Sequence, residues 1–151
     1  MANLELNTPM QVDNVFWIAS MGKEFTAVAI LQLMEQGKLN LQDEITKYIP
    51  DYPTQGYKIT IEHLLTHTSG IHNFSGMPDP EKKLAFDCTP IEVIDFFKKM
   101  PMHFPPGTKW EYSNSGYFLL GYIIEKITGK TYEEYLEENI FKPAGMTNSH
   151  F

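Results

Sequence analysis

Apolar residues recur at helical spacing in several stretches of the chain, and this pattern predicts a fold dominated by α-helices. The longest such stretch follows Ser20, where Phe25 and Val28 open one buried face. Because serine is a common N-cap, we expect Ser20 to cap this helix, and Gly37 is well suited to end it. The polar residues 3–13 predict at most an edge strand or an entry loop.

Capping residues mark the starts of four further helices, at Thr60, at Thr89, at Asn114 or Ser115, and at Thr131. Thr89-Pro90 joins an N-cap to a first-turn proline, and that helix is predicted to continue through Met100. The helix after Asn114 is expected to bury one stripe, consisting of Tyr117, Leu120, Ile123, Ile124 and Ile127. Few segments alternate between apolar and polar residues, so very little strand is predicted.

Length and composition indicate one globular domain of 151 residues, 42% of them hydrophobic and 21% charged. The net charge of −7 argues against a nucleic-acid backbone as the partner. Cys88 is the only cysteine, so no intrachain disulfide can form and the cellular compartment stays undetermined. No apolar run approaches the roughly 20 residues of a membrane span, and no signal peptide is recognised at the start.

Ser20 and Lys23 stand one helical turn apart, so their side chains share one face of the first helix. A serine hydroxyl is a poor nucleophile until a neighbouring base takes its proton, and a desolvated lysine can be that base. The pair alone does not decide the function, because a capping serine followed by a solvated lysine is common.

Tyr112-Ser113-Asn114 stands between a rigid Pro-Pro-Gly turn and the start of a helix. A tyrosine hydroxyl can relay protons, and an asparagine amide can either donate to or accept from a substrate amide. The alternative interpretation is a helix cap preceded by a packing aromatic residue.

Two other candidate sites are weaker. His63, His67 and His72 suggest a metal cluster, but Glu62 precedes the first histidine and no acidic third ligand has a suitable spacing, so structural histidines are favoured. Gly129-Lys130-Thr131 is typical of the end of a phosphate-binding loop, but Ile124 stands where that loop needs glycine. We therefore expect no metal and no cofactor.

Several motifs agree in order and spacing with one family over the range from about Asp13 to Met146. They are Phe16-Trp17-Ile18-Ala19-Ser20-x-x-Lys23, Gln36-Gly37-Lys38-Leu39-x-Leu41, Ile61-x-x-Leu64-Leu65-Thr66-His67-Thr68-Ser69-Gly70-Ile71, Phe104-Pro105-Pro106-Gly107-Thr108-x-x-x-Tyr112-Ser113-Asn114-x-Gly116-Tyr117 and Pro143-Ala144-Gly145-Met146. The chain resembles the serine β-lactamase-related family, which includes class C β-lactamases, D-Ala-D-Ala carboxypeptidases and related esterases.

The resemblance implies a covalent acyl-transfer mechanism on a small-molecule substrate, namely a β-lactam, a D-Ala peptide or an ester. Ser20 would be the nucleophile and Lys23 would help to deprotonate it. Tyr112 would shuttle a proton to the leaving group, and Asn114 would bind the amide side chain of the acyl group. The Ser20 backbone N–H would form half of an oxyanion hole. The signature that includes His67 and Gly70 would be architectural.

The family's third motif, a Lys-Thr-Gly or His-x-Gly on a late strand, is not found, since Lys130-Thr131-Tyr132 lacks the glycine. The resemblance therefore implies that residues 1–151 form one incomplete domain, without the family's N-terminal strands and its C-terminal strands. The expected fold is mainly α, the helical region of an α+β fold that lacks most of its central antiparallel sheet. Such a chain is expected to be weak or inactive alone, and either to self-associate or to repack so that the surface that faces the sheet is covered. The alternative is a catalytically silent helical module that binds a ligand or partner.

Overall fold

The computed structural model describes residues 1–12, 14–76 and 88–150, and this part of the chain is mainly helical, as predicted. Its five α-helices are α1 (Gly22–Glu35), α2 (Ile61–Leu65), α3 (Pro90–Phe97), α4 (Asn114–Thr128) and α5 (Tyr132–Leu136). Short 3-10 turns span Ala19–Met21, Ile45–Lys47 and Phe74–Gly76, and a π-turn, Glu137–Phe141, continues α5. Strand pairing within the described residues amounts to two isolated bridges, Asn3 to Thr8 and Glu44 to Thr60.

The predicted helix starts are confirmed where a side-chain cap supports them. Thr60 and Thr131 accept the backbone N–H of the third helical residue, and Ser113 caps α4 in the same way. The predicted continuation of α3 to Met100 is wrong, because the helix ends at Phe97. Pro101 disfavours the helical conformation at Met100 and so excludes that residue from the helix.

The expectation that Ser20 caps α1 is also wrong. Ser20 lies inside the preceding 3-10 turn, and Met21 occupies the N-cap position of α1 without a side-chain hydrogen bond. The other end follows the prediction, since Gly37 adopts a left-handed φ of 68° and the N–H of Lys38 bonds back to Leu33 O at 2.9 Å. The Ser20 hydroxyl is therefore not used to begin the helix.

Helix α4 is the centre of the hydrophobic core and packs against α1, α2, α3 and α5. Its fully buried apolar residues are Leu119, Leu120, Ile123 and Ile124. Tyr117 and Ile127, which were predicted in the same stripe, are only partly buried. The buried face is rotated toward Leu119 because helices pack on more than one side of α4. This rotation leaves Tyr117 beside the surface where α1 begins.

One apolar surface remains exposed on α1 and on the residues before it. This apolar face consists of residues 15–18 with Met21, Val28 and Leu31, and the indole of Trp17 is 95% exposed. Val28 and Leu31 are three residues apart and so lie on the same side of α1, and Met21 precedes Val28 by seven residues, or about two turns. Among the described helices, none is both long and apolar enough to cross a membrane.

Candidate active site

Three polar side chains meet at the N-terminal end of α1. Ser20 Oγ accepts a hydrogen bond from Lys23 Nζ at 3.2 Å and another from Tyr112 Oη at 2.6 Å. Ser20 is exposed, whereas Lys23 and Tyr112 are half-buried. The hydroxyl is thus exposed and is also hydrogen-bonded to the amine of Lys23 and to the phenol of Tyr112.

The backbone around Ser20 explains how its side chain reaches this position. Ala19 has a φ of 47°, in the left-handed region that a residue with a Cβ occupies at a cost of roughly 1–2 kcal/mol. The chain then makes a 3-10 turn and enters α1, which places Ser20 and Lys23 on one face. Strained backbone of this kind concentrates at functional sites, where the surrounding structure maintains it.

The imidazole ring of His67 packs against the ring of Tyr112. Its Nδ1 accepts the backbone N–H of Ser113 at 3.1 Å, and its ring lies 4.7 Å from the ring of Tyr112 and 4.9 Å from that of Tyr117. Desolvation, and then the positive charge of Lys23, lower the pKa of His67, so the neutral ring that can accept this bond is favoured. His67 therefore positions Tyr112, which agrees with the architectural role that the resemblance implies.

The electrostatic environment of Tyr112 lowers the pKa of its phenol. Desolvation by itself raises the pKa of the phenol, but hydrogen bonds with Lys23 and Ser20 and the charge of Lys23 outweigh it, and the net pKa is lowered. Lys23 Nζ also lies 5.0 Å from the centre of the Tyr112 ring. Lys23 thus acts on both oxygen atoms of the site.

Asn114 is the first residue of α4, and it lines the same cavity as Lys23. The cavity has a volume of about 380 Å³ and runs between α1 and α4 along the aromatic rings of Phe74, Tyr117, Phe118 and Tyr132. The Asn114 side chain donates from Nδ2 to Ser75 Oγ at 2.9 Å. Sequence reasoning missed Asn73 and Ser75 beside it, since nothing in the local pattern distinguishes them from loop residues.

The segment from His67 to Gly70 holds the loop that leads to Tyr112. The backbone oxygens of His67, Thr68 and Gly70 accept N–H groups of Glu111, Gly107 and His103 at 2.9, 2.9 and 2.8 Å. A Cβ on Gly70 would lie 2.0 Å from the backbone oxygen of Phe104. The two loop segments therefore approach too closely for position 70 to carry any side chain.

His63, His72 and His103 make local contacts. His63 Nδ1 accepts the N–H of Thr60 and completes the α2 capping box. His103 bridges His72, at 2.9 Å between ring nitrogens, and Glu111. Within the described ranges, no group of three His, Cys, Asp or Glu side chains is arranged to hold a metal ion. Gly129 ends α4 with a φ of 69°, as expected of a helix stop.

Comparisons with known proteins agree with this fold. The family model described as Beta-lactamase matches residues 1–151. Penicillin-binding protein 4* of Bacillus subtilis (strain 168) is 35% identical over an alignment of 151 positions, which covers 98% of this chain and 33% of that protein. The D-amino acid amidase of Ochrobactrum anthropi SV3, solved with L-phenylalanine amide, superposes with a TM-score of 0.84 at 35% identity, over 97% of this chain and 40% of that one.

A third solved structure, the octameric penicillin-binding protein homologue from Pyrococcus abyssi, superposes with a TM-score of 0.82 at 36% identity, over 97% of this chain and 35% of that one. The family model and these relatives define one class of serine hydrolases. The chain belongs to the beta-lactamase family of this class. It spans about a third of the length of the curated relatives that it matches.

Proposed function

We propose that this chain carries the acyl-enzyme site of a serine acyl-hydrolase, with Ser20 as the nucleophile. The observation that carries the proposal is the position of Ser20 Oγ between Lys23 Nζ at 3.2 Å and Tyr112 Oη at 2.6 Å. General bases must lie within hydrogen-bond reach of the proton that they remove, and both groups meet that condition.

In this mechanism Ser20 Oγ attacks the substrate carbonyl while its proton passes to the Lys23–Tyr112 pair. Collapse of the tetrahedral intermediate breaks the bond to the leaving group, and Tyr112 returns the proton to that group. The lowered pKa of Tyr112 suits it to both steps, because a phenol that ionises more readily exchanges protons more readily. Water then hydrolyses the acyl-enzyme, and Asn114 binds the amide side chain of the acyl group throughout.

The proposed substrates are β-lactams, D-Ala-D-Ala peptides and small esters. An amidase and a penicillin-binding protein among the relatives support acyl groups of this chemistry. We further propose that residues 1–151 represent one incomplete domain of the family, since the chain spans about a third of the length of these relatives.

Covalent labelling tests the proposed nucleophile. After incubation with a labelled penicillin or an activated ester, mass spectrometry is expected to find one acyl adduct on the native chain, located on Ser20. The same treatment of Ser20→Ala should give no adduct, with helical circular dichroism as the control for folding. Absence of an adduct with both reagents would instead support the catalytically silent helical module.

The exposed apolar face supports a second proposal, self-association. Its large side chains include Trp17 at 95% and Phe16 at 62% exposure, and contiguous exposed patches of this kind commonly mark interaction sites. The Pyrococcus abyssi homologue is octameric.

Light scattering at micromolar concentration is expected to show native dimers or larger species. A Val28→Glu, Leu31→Glu double variant should shift the population toward monomer, because it places two charges on the face. A strictly monomeric native chain that binds no apolar dye would contradict self-association.

A further inference from the structure

Three titratable side chains form a series of hydrogen bonds at the loop of residues 103–111, which leads to Tyr112. His103 and Glu111 stand at the two ends of this loop, and His103 Nδ1 is hydrogen-bonded to Glu111 Oε1. On the other side of the same ring, His103 Nε2 lies 2.9 Å from His72 Nδ1. We call these three residues the histidine clamp. Because Glu111 directly precedes Tyr112, the clamp holds the loop immediately beside the phenol that contacts Ser20.

The clamp joins two segments whose backbones are already paired. The N–H of His103 donates to the backbone oxygen of Gly70 at 2.8 Å, and the N–H of Glu111 donates to that of His67 at 2.9 Å. His72 follows the segment that supplies both oxygens, and its ring meets that of His103 edge-on, with the ring centres 4.8 Å apart. The clamp therefore adds contacts that can titrate to a junction that the backbone hydrogen bonds form.

The proton positions in the clamp follow from the acceptor at one end. A carboxylate can only accept, so His103 Nδ1 must carry a proton. In a neutral ring the other nitrogen then has no proton, so His103 Nε2 accepts and His72 Nδ1 must donate to it. If the histidine pair takes up one proton, His103 donates from both nitrogens, to the carboxylate and to a neutral His72. The clamp is therefore intact with either no added proton or one.

A second added proton breaks the contact between the two rings. Each of the two facing nitrogens then carries a proton, so no acceptor remains between them and the two positive charges repel each other. Desolvation, and then the charge of His103, lower the pKa of His72, and the carboxylate of Glu111 offsets only part of this effect. Among the described residues, the charges that act on His72 are those of His103 and Glu111. The surroundings of His72 thus oppose the doubly charged state.

We propose that His72, His103 and Glu111 are positioning residues for Tyr112, and that acid releases the tyrosine by adding a second proton to the histidine pair. This inference rests on the proposed function, because Tyr112 is the proton carrier of the reaction at Ser20. A pKa that is lower in the folded chain means that folding favours neutral His72. The clamp is therefore formed above the ordinary histidine pKa of about 6.5 and is lost as the pH falls through the lower pKa of the folded chain.

Long-range ¹H–¹⁵N NMR correlations on the native chain test the proton positions without any substrate. At about pH 8, above the ordinary histidine pKa, we expect both His72 and His103 to carry their proton on Nδ1. The other tautomer predominates in free histidine, so this result is specific to the clamp. A neutral His103 with its proton on Nε2 would overturn the inference.

The ring signals of Tyr112 report its position as a function of pH. His72→Asn keeps a hydrogen-bonding group near the place of Nδ1 but cannot take up a charge. Its Tyr112 signals should match those of the native chain at about pH 8 and differ from them at about pH 5, where the native clamp takes up its second proton. His67 also packs against Tyr112, but it is present in both chains, so its titration cancels in the comparison. Identical pH profiles would overturn the positioning role.

Two further variants complete the comparison. His72→Ala lacks the hydrogen bond, so its Tyr112 signals should be displaced at both pH values. His150→Asn is the matched control, because His150 is exposed and lies outside the clamp, and it should follow the native profile. Far-ultraviolet circular dichroism verifies the folding of each variant.

Acylation rates give an independent measurement. At about pH 5 the native chain should acylate about 3- to 10-fold more slowly than His72→Asn, as for the loss of one hydrogen bond, and at about pH 8 the two rates should agree within about twofold. Comparison at one pH cancels the titration of Lys23 and Tyr112, which both chains share. An adduct with equal rates at both pH values would refute the clamp and keep the acyl-enzyme. Absence of any adduct would refute the acyl-enzyme, while the NMR comparison would still decide on the clamp.

Discussion

Replacement of Lys23 by glutamine is expected to slow acylation of Ser20 by about 10²–10⁴-fold, the range for loss of a positioned proton-transfer group. Glutamine retains a polar side chain of similar reach, but it cannot carry the charge or take up a proton. The rate is followed by mass spectrometry as the fraction of chain that carries the acyl group with time.

The same substitution should raise the pKa of Tyr112. The hydrogen bond and the positive charge of Lys23 are two of the causes that lower this pKa, and desolvation, which raises it, would remain. The ionised phenol would then appear only at higher pH, so the residual rate should reach its plateau at higher pH than in the native chain. Tyrosine ring NMR shifts measured against pH check this directly.

Lys38→Gln is the matched control, because Lys38 is exposed and lies beyond the far end of α1. It should leave both the acylation rate and the Tyr112 titration unchanged. A Lys23→Gln chain that acylates within threefold of the native rate would remove Lys23 from the mechanism.

Substitution of Gly70 by alanine is expected to destabilise the fold by about 2–5 kcal/mol, the sum of left-handed strain and overpacking. Gly70 has a φ of 71°, and the added Cβ would lie 2.0 Å from the backbone oxygen of Phe104. Urea denaturation followed by far-ultraviolet circular dichroism measures the loss.

Gly129→Ala separates left-handed strain from overpacking as causes of the destabilisation. Gly129 has a nearly identical φ of 69°, but a Cβ there would meet nothing within 4 Å. Its substitution should cost only about 1 kcal/mol, the strain alone. Equal destabilisation by the two variants would show that the close approach to Phe104 contributes nothing.

Helix starts were predictable because they depend on local chemistry. Thr60 and Thr131 cap their helices with their own side chains, and Gly37 ends α1 by adopting a conformation that glycine tolerates. The end of α3 at Phe97 was not predictable from the apolar pattern, and Pro101 accounts only for the exclusion of Met100.

The candidate site depends on contacts that local patterns do not contain. Ser20 was expected to cap α1, but its hydroxyl is bonded to Lys23 and to Tyr112 instead. Asn73 and Asn114 are 41 positions apart in the sequence, so the local pattern around either residue does not predict their contact. The resemblance to a family named the four candidate residues, whereas Asn73 and Ser75 could be recognised only from the structure.

The hydrogen bond between Ser20 and Tyr112 joins residues that are 92 positions apart in the chain. Closing so long a loop has a large entropic cost, so an unfolded ensemble makes this contact only rarely. The contact should persist only while α1, α4 and the loop before α4 are all packed together. Any partial unfolding that releases one of these elements would break the hydrogen bond. A reagent that reacts only with the intact Ser20–Tyr112 pair would consequently report the population of native molecules. It would not detect molecules that keep their helices in a collapsed but disordered state.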